Sequence, residues 1–219
     1  MSESDSFIDE VADEVRRDKL FALMRKYGWI AISAVVLIVG GASWNEWQKA
    51  RAQAAAEAFG DAVQAAMASD DANARVTALA TVETGGVAGR AAVLGLLTAA
   101  EAETAGNRDA ALAALSALAE NSEVAESYRQ LAKLKMVILG GDMMAASERD
   151  ATLIALAAPG APFRALAMEQ QALALLDAGK TEDAATLLAQ IKEDADATPA
   201  LQSRVEQVLV ALGKGAGTE

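Results

Sequence analysis

The sequence predicts an all-α protein in which a single N-terminal transmembrane helix is followed by stacked, antiparallel helix pairs. Three observations support this fold class. Of the 219 residues, 54 are alanine, the residue with the highest helix propensity, whereas aromatic residues make up 4% and prolines number three. A run of 19 residues without charge lies near the N-terminus, at 27–45. Further along the chain, one pattern of glycine and alanine recurs three times between long apolar stretches.

The charge-free run has the length and the flanks of a membrane-spanning helix. At ~1.5 Å per residue it extends roughly 28 Å, close to the ~30 Å hydrocarbon core of a bilayer. Tyr27 and Trp29 lie at one end of the run, and Trp44 and Trp47 lie at the other. Aromatic residues of this kind are enriched at both membrane interfaces. A helix buried in a protein core is the alternative interpretation, and the aromatic residues at both ends favour the span.

The charges on either side predict the orientation of this helix. Basic residues are more frequent before the run than after it, and the more basic flank stays in the cytoplasm. The following domain, at 46–219, has 24 acidic and 14 basic residues, a net charge of −10, and is expected on the opposite side. A signal peptide cleaved at Ala50-Arg51-Ala52 is the alternative, but a preceding tail of 26 residues is long for one. The counted basic residues are Arg16, Arg17, Lys19, Arg25 and Lys26 before the run, and Lys49 and Arg51 after it.

The N-terminal tail contains the stripe of an amphipathic helix. Phe7, Ile8 and Val11 fall on one helical face, and Arg16 and Arg17 follow them. One interpretation is a helix that docks on a membrane partner, with these five residues as contacts. The other is a helix that rests on the bilayer surface or frays in solvent.

Small residues suggest a second contact surface inside the membrane. Ser33, Ala34, Gly40 and Gly41 form the smallest face of the span, on which another helix can approach closely. Small residues in a lone, lipid-facing helix are the alternative interpretation.

The composition argues against several classes of active site. The chain has no cysteine and no histidine, which excludes disulfides, Ser-His-Asp and Cys-His catalysis and the usual zinc centres. The net charge of −12 argues against binding of nucleic acid, which calls for a basic face. We therefore expect a non-catalytic protein without a cofactor.

Carboxylate pairs are the remaining catalytic candidates. Glu101 with Glu103, and Asp194 with Asp196, are each two residues apart, and residues at that spacing do not face each other on a helix. The segment from Asp194 to Thr198 has some features of a calcium loop but lacks the glycine and the final glutamate of an EF-hand. Solvated surface is the favoured interpretation of both pairs.

The repeated pattern consists of a glycine, four residues and an alanine. Glycine readily adopts the left-handed conformation that ends a helix, and alanine lets the next helix pack closely. The glycines are 35 and then 38 residues apart, and each lies between two leucine-bearing segments, which predicts helix pairs that bury their apolar faces by stacking. The three pairs are Gly106 with Ala111, Gly141 with Ala146, and Gly179 with Ala184.

This period and pattern resemble the tetratricopeptide repeat, although most tryptophan, tyrosine and proline positions of its consensus differ. The resemblance implies a right-handed α-solenoid with a groove. From their expected exposure, Tyr128, Arg129 and Arg164 are candidate contacts in this groove, and packing or surface groups are the alternative interpretation. A last helix, roughly Pro199 to Leu212, is expected to cap the stack. The predicted organisation is a cytoplasmic tail at 1–26, the transmembrane helix at 27–45, membrane-proximal helices at 46–84, a glycine-rich linker at 85–90, the repeats at 91–212 and a flexible tail at 213–219.

Four stretches carry a more specific resemblance, to the YfgM-type ancillary subunits of the SecYEG translocon, in their alphaproteobacterial branch. They are FIDEVADEVRRDKLFALMRKYG, WNEWQKARAQAAAEAFGDAV, APGAPFRALAMEQQALALLDAGKTEDAATLL and TPALQSRVEQVLVAL. This resemblance implies an inner-membrane protein with a periplasmic repeat domain, which associates with SecYEG and with a PpiD-like periplasmic chaperone and aids proteins that leave the translocon. The tail is longer and the repeats are more divergent than in other relatives. A scaffold for envelope assembly or cell division is the alternative.

Overall fold

The computed structural model describes residues 3–214, and within that range the side chains of all but 3–16, 18, 19, 31 and 142. Every regular element in these residues is helical, and none is a β-strand. The chain divides into two compact units, Met1–Ala58 and Phe59–Glu219, which we describe separately. The described α-helices are α1 Glu3–Ala66, α2 Ala72–Leu79, α3 Ala88–Thr104, α4 Arg108–Glu120, α5 Glu126–Gly140, α6 Ala146–Leu156, α7 Arg164–Asp177, α8 Thr181–Glu193 and α9 Pro199–Ala211.

The first unit consists of the N-terminal part of α1. Its large apolar side chains, among them Trp29, Leu37 and Ile38, are exposed. The helical stretch Leu20–Ala66 is long and apolar enough to cross a membrane, and none of its most apolar part is buried within the protein. Among the described residues it is the one helix with these properties.

The second unit is a stack of helices with three apolar clusters that adjoin along the chain. The first cluster joins α3, α4 and α5, the second joins α5, α6 and α7, and the third joins α7, α8 and α9. Helix α5 serves two clusters, because Ala132 belongs to the first and Leu134 to the second. Helix α7 also serves two clusters, because Ala167 belongs to the second and Met168 to the third. Each helix pair is therefore completed by its neighbours, as expected for a repeat protein.

The first and third repeat turns share one geometry. Gly106 and Gly179 both have φ of +73°, the left-handed region that glycine adopts without steric cost. The N–H groups of Asn107 and Lys180 donate to carbonyl oxygens of the last helical turn, each at 2.8 Å, as in a Schellman motif. Ala111 and Ala184 each occupy the fourth position of the next helix, where both are fully buried.

The second repeat turn differs from the other two. Gly141 ends α5 with φ of +48°, and a 3-10 helix occupies Gly141–Met143. The extra turn delays the next helix, so Ala146 is its first residue and is exposed. The expected packing role of Ala146 is therefore wrong, since an alanine at the first helical position lies outside the helix interface.

The predicted boundary between the glycine-rich linker and the repeats also changes. Helix α3 begins at Ala88, so the second half of the predicted 85–90 linker is helical, and the turn is confined to Gly85 and Gly86 with φ of +60° and +71°. The final helix is confirmed as Pro199–Ala211, with Thr198 Oγ1 accepting from the N–H of Leu201 at 3.3 Å. Residues 215–219 of the predicted C-terminal tail lie outside the described residues.

Candidate protein-binding groove

A groove with a volume of about 710 Å³ lies between α5, α7 and α9. Its lining is mostly apolar, and two of its large apolar side chains remain accessible: Ile138 is 54% exposed and Leu173 is 38% exposed. Burial of these side chains against a partner would be favourable, so the groove can accept apolar groups. The apolar lining residues are Leu134, Ile138, Leu166, Leu173, Leu176, Val208, Ala211 and Leu212.

Polar side chains line the same groove beside these apolar residues. Arg204 on α9 donates twice to Glu169 on α7, from Nε to Oε1 at 2.9 Å and from Nη2 to Oε2 at 2.7 Å. The hydrogen bond to Glu169 raises the pKa of Arg204 above its usual value. Gln170 and Gln207 add amide groups to the lining. The bidentate pair connects α7 to α9 within the lining of the groove.

The groove has the chemistry of a peptide site. Its apolar lining can bury side chains of a partner, and the amides of Gln170 and Gln207 can bond to a peptide backbone. In the described part of the chain, no group of three acidic residues is placed to hold a metal ion.

The three residues predicted for the groove do not line it. Arg164 on α7 pairs with Asp194, which follows α8, so it connects two helices of the stack. Arg129 pairs with Glu126 on its own helix, and Tyr128 is exposed on the first turn of α5. None of the three belongs to the lining of the α5, α7 and α9 groove, and each holds a packing or surface position instead.

The carboxylate pairs are likewise engaged elsewhere. Glu101 accepts a hydrogen bond from Arg75 on α2. Asp194 accepts from Arg164 through one oxygen and from the N–H of Asp196 through the other, at 3.0 Å. These contacts hold helix ends and turns together. Because the side chains of Glu101 and Asp194 are only 12% and 10% exposed, the expected solvated surface is wrong for these two residues.

The aromatic residues of the predicted span form contacts along α1. The rings of Trp44 and Trp47 are 5.1 Å apart between centroids. The Arg51 guanidinium lies 4.7 Å above the Trp47 ring, and the Lys26 ammonium lies 5.5 Å from that of Tyr27. Cations on both flanks thus accompany aromatic rings, an arrangement suited to membrane interfaces.

The remaining predicted contact residues either lie on the surface of α1 or have side chains outside the described residues. Ser33, Gly40 and Gly41 are exposed, and a Cβ added at either glycine would meet no atom within 4 Å. Arg17 is exposed as well. Trp29 is exposed at the N-terminal end of the charge-free run. The side chains of Phe7, Ile8, Val11 and Arg16 lie outside the described residues.

Sequence reasoning missed the polar pair in the groove. Glu169 and Arg204 are 35 residues apart, which is close to the spacing of the repeat glycines. Oppositely charged residues one repeat apart lie on adjacent, equivalent helices, so this separation is the signal that identifies such a pair.

Residues 25–213 match the family described as tetratricopeptide repeat-like domain. No curated protein and no solved structure matches the chain. The family match extends over most of the chain, from the start of the apolar segment to the end of α9, and the chain therefore belongs to the tetratricopeptide repeat-like domain family.

Proposed function

We propose that this protein is a membrane-anchored, non-catalytic adaptor that serves as an accessory subunit of the SecYEG translocon. In this role its repeat domain lies in the periplasm, where it assists exported proteins or passes them to a PpiD-like chaperone. The observation that carries the proposal is the apolar groove between α5, α7 and α9, with the accessible side chains Ile138 and Leu173. Domains of this family are generally non-catalytic modules that bind other proteins.

The N-terminal helix supports the anchor and its location. It is long and apolar enough to span a bilayer, and the excess of basic residues before the span favours a cytoplasmic N-terminus in a bacterial inner membrane. The resemblance of four sequence stretches to ancillary translocon subunits supports SecYEG as the channel with which the protein associates. An adaptor held at the exit of a channel meets unfolded segments, whose exposed apolar side chains suit an apolar groove.

Site-specific crosslinking in cells tests this proposal. A photoreactive amino acid replaces Ile138 in the groove and, in a matched control, Val210 on α9, which is 60% exposed and does not line the groove. We expect translocon subunits, a PpiD-like chaperone or exported chains to crosslink at position 138 and not at 210. Crosslinks at 138 to division or envelope-assembly proteins, with none to these three, would contradict the translocon role.

A substitution in the groove tests whether partner proteins bind there. Ile138→Glu places a charge in the apolar lining, and Val210→Glu places the same charge on the control surface. Because both side chains are largely exposed, both variants should fold. Loss of copurifying partners from the detergent-solubilised protein is expected for Ile138→Glu alone, and equal retention by the two variants would oppose binding in the groove.

A further inference from the structure

A second depression crosses α4, α5 and α6 and shares no residue with the groove described above. It consists of two adjoining hollows of about 340 and 510 Å³. Both are lined by Ser116, Met136 and Glu148, so they form one continuous surface, which we call the α4–α6 cleft. The irregular second repeat turn borders this cleft and contributes part of its lining.

Methionine side chains form the apolar part of the α4–α6 cleft. Met136 comes from α5, and Met143 and Met144 come from the turn. Met143 is 61% exposed. Met144 packs against Gly140. A Cβ added to Gly140 would lie 3.3 Å from the Cβ of Met144, so the absence of a side chain at Gly140 makes room for Met144. Methionine is flexible and polarisable, which suits a surface that adapts to the apolar side chains of a partner.

Carboxylates line the other part of the cleft. Glu120, Glu126 and Glu148 come from three helices, and Lys133 is the one cation among the described lining residues. Arg129, next to the cleft, pairs with Glu126. Hydrogen bonding from Gln130, together with Arg129, lowers the pKa of Glu126 below its usual value, so this carboxyl is ionised at neutral pH. The cleft lining therefore carries a net negative charge.

Two unpaired polar atoms lie beside these carboxylates. Gln130 donates through Nε2 to Glu126 at 3.1 Å, whereas the buried Oε1 of Gln130 and the buried Nε of Arg129 have no hydrogen-bond partner. Ser116 donates to Glu120 at 2.9 Å. Unpaired buried polar atoms are unfavourable, so side chains at this edge of the cleft are not fully satisfied in the free protein.

We propose that the α4–α6 cleft binds a basic amphipathic helix of a partner protein. The apolar side of such a helix meets Met136, Met143 and Met144, while its lysine or arginine side chains meet the carboxylates. Small residues along the cleft, including Ala119 and Ala155, leave room for the bound backbone to approach. An acidic segment would be repelled, and a purely apolar one would leave the carboxylates without cations. This surface adds a second contact to the adaptor, independent of the groove between α5, α7 and α9.

The test uses the full chain in phosphatidylcholine nanodiscs, with empty nanodiscs as the blank. The probe is a fluorescent amphipathic peptide of leucine and lysine, and the matched probe carries glutamate at every lysine position. We expect fluorescence anisotropy to show binding of the lysine peptide, weakening as salt is raised, and none of the glutamate peptide. Equal binding of both peptides, or of neither, would overturn the proposal.

Paired variants locate the binding. E120Q/E148Q should weaken affinity for the lysine peptide roughly five- to tenfold, as expected for two lost ion pairs. E103Q/E193Q removes the same charge from exposed positions outside the cleft and should change affinity by less than about twofold. If the two double variants weaken binding equally, the effect is one of net charge and the cleft is excluded.

Two further variants test whether the peptide occupies the α4–α6 cleft. Both substituted positions are exposed, so the variants should fold. Ala155→Trp fills the cleft and should abolish binding, whereas Ala117→Trp, on the exposed face of α4, should not. Unchanged binding by Ala155→Trp would refute the proposal. Crosslinks from position 138 belong to the other groove, so their loss or retention tests the translocon role without bearing on this cleft.

Discussion

Arg75 and Glu101 connect α2 to α3 through an ion pair that is largely shielded from solvent. Arg75 Nε donates to Glu101 Oε2 at 2.6 Å, and 15% and 12% of the two side chains are exposed. The same guanidinium donates from Nη1 to the carbonyl oxygens of Ser69 and Asp70, at 2.8 and 3.0 Å. One side chain therefore holds the loop before α2 and the first repeat helix together.

Arg75→Ala should destabilise the repeat unit by about 1–3 kcal/mol, because Glu101 and two carbonyl groups lose their donor in a partly buried place. Glu103→Ala, at an exposed neighbouring position, should change stability by less than about 0.5 kcal/mol. Urea unfolding of the full chain in detergent, followed by circular dichroism, measures both. Equal stability of the two variants would show that the pair contributes nothing.

The repeat-turn glycines should resist substitution for a conformational reason. Gly106→Ala and Gly179→Ala force a Cβ into φ of +73° and should each cost about 1–2 kcal/mol of unfolding free energy. Gly60, within α1, has no atom within 4 Å of an added Cβ, so Gly60→Ala should stabilise the protein by about 0.5–1 kcal/mol. The same unfolding measurement applies, and a stabilising effect at Gly106 would contradict the observed turn.

The repeat alanines should differ in their tolerance of a larger side chain. Ala111 is fully buried, so Ala111→Leu should overpack the interface and cost about 1–3 kcal/mol. Ala146 is exposed at the start of α6, and Ala146→Leu should change stability by less than about 0.5 kcal/mol. Thermal unfolding of the two variants makes the comparison. A large loss at Ala146 would mean that all three repeats pack alike.

A charge in the apolar segment should prevent membrane insertion. Leu37→Arg puts a cation near the middle of the span, at a cost of about 2.5–3.5 kcal/mol in insertion. Ala56→Arg adds the same charge to an exposed helical position outside the charge-free run. After alkaline carbonate extraction of membranes, the Leu37→Arg protein should move toward the soluble fraction while the Ala56→Arg protein stays in the pellet. Complete retention of both variants would argue against the span at 27–45.

Local sequence signals predicted the helical elements well where each signal acts within a few residues. The glycines at 106 and 179 end helices because a left-handed turn needs no distant partner. Thr198 and Pro199 mark the start of α9 for the same reason. At Gly141 the same signal misled, because Gly141–Met143 form a 3-10 helix, which delays α6 and changes the position of Ala146.

By itself, the sequence determined the helical class, the apolar segment, the repeat period and most helix ends, all of which follow from composition and short-range pattern. The tertiary structure alone decided which side chains share a surface. Arg164, a candidate for the groove, pairs with Asp194 instead. Glu169 and Arg204, which are 35 residues apart in the sequence, form hydrogen bonds in the groove. The reason is physical: periodicity selects the helix face that is buried, but the angles at which helices pack decide which exposed faces enclose a groove.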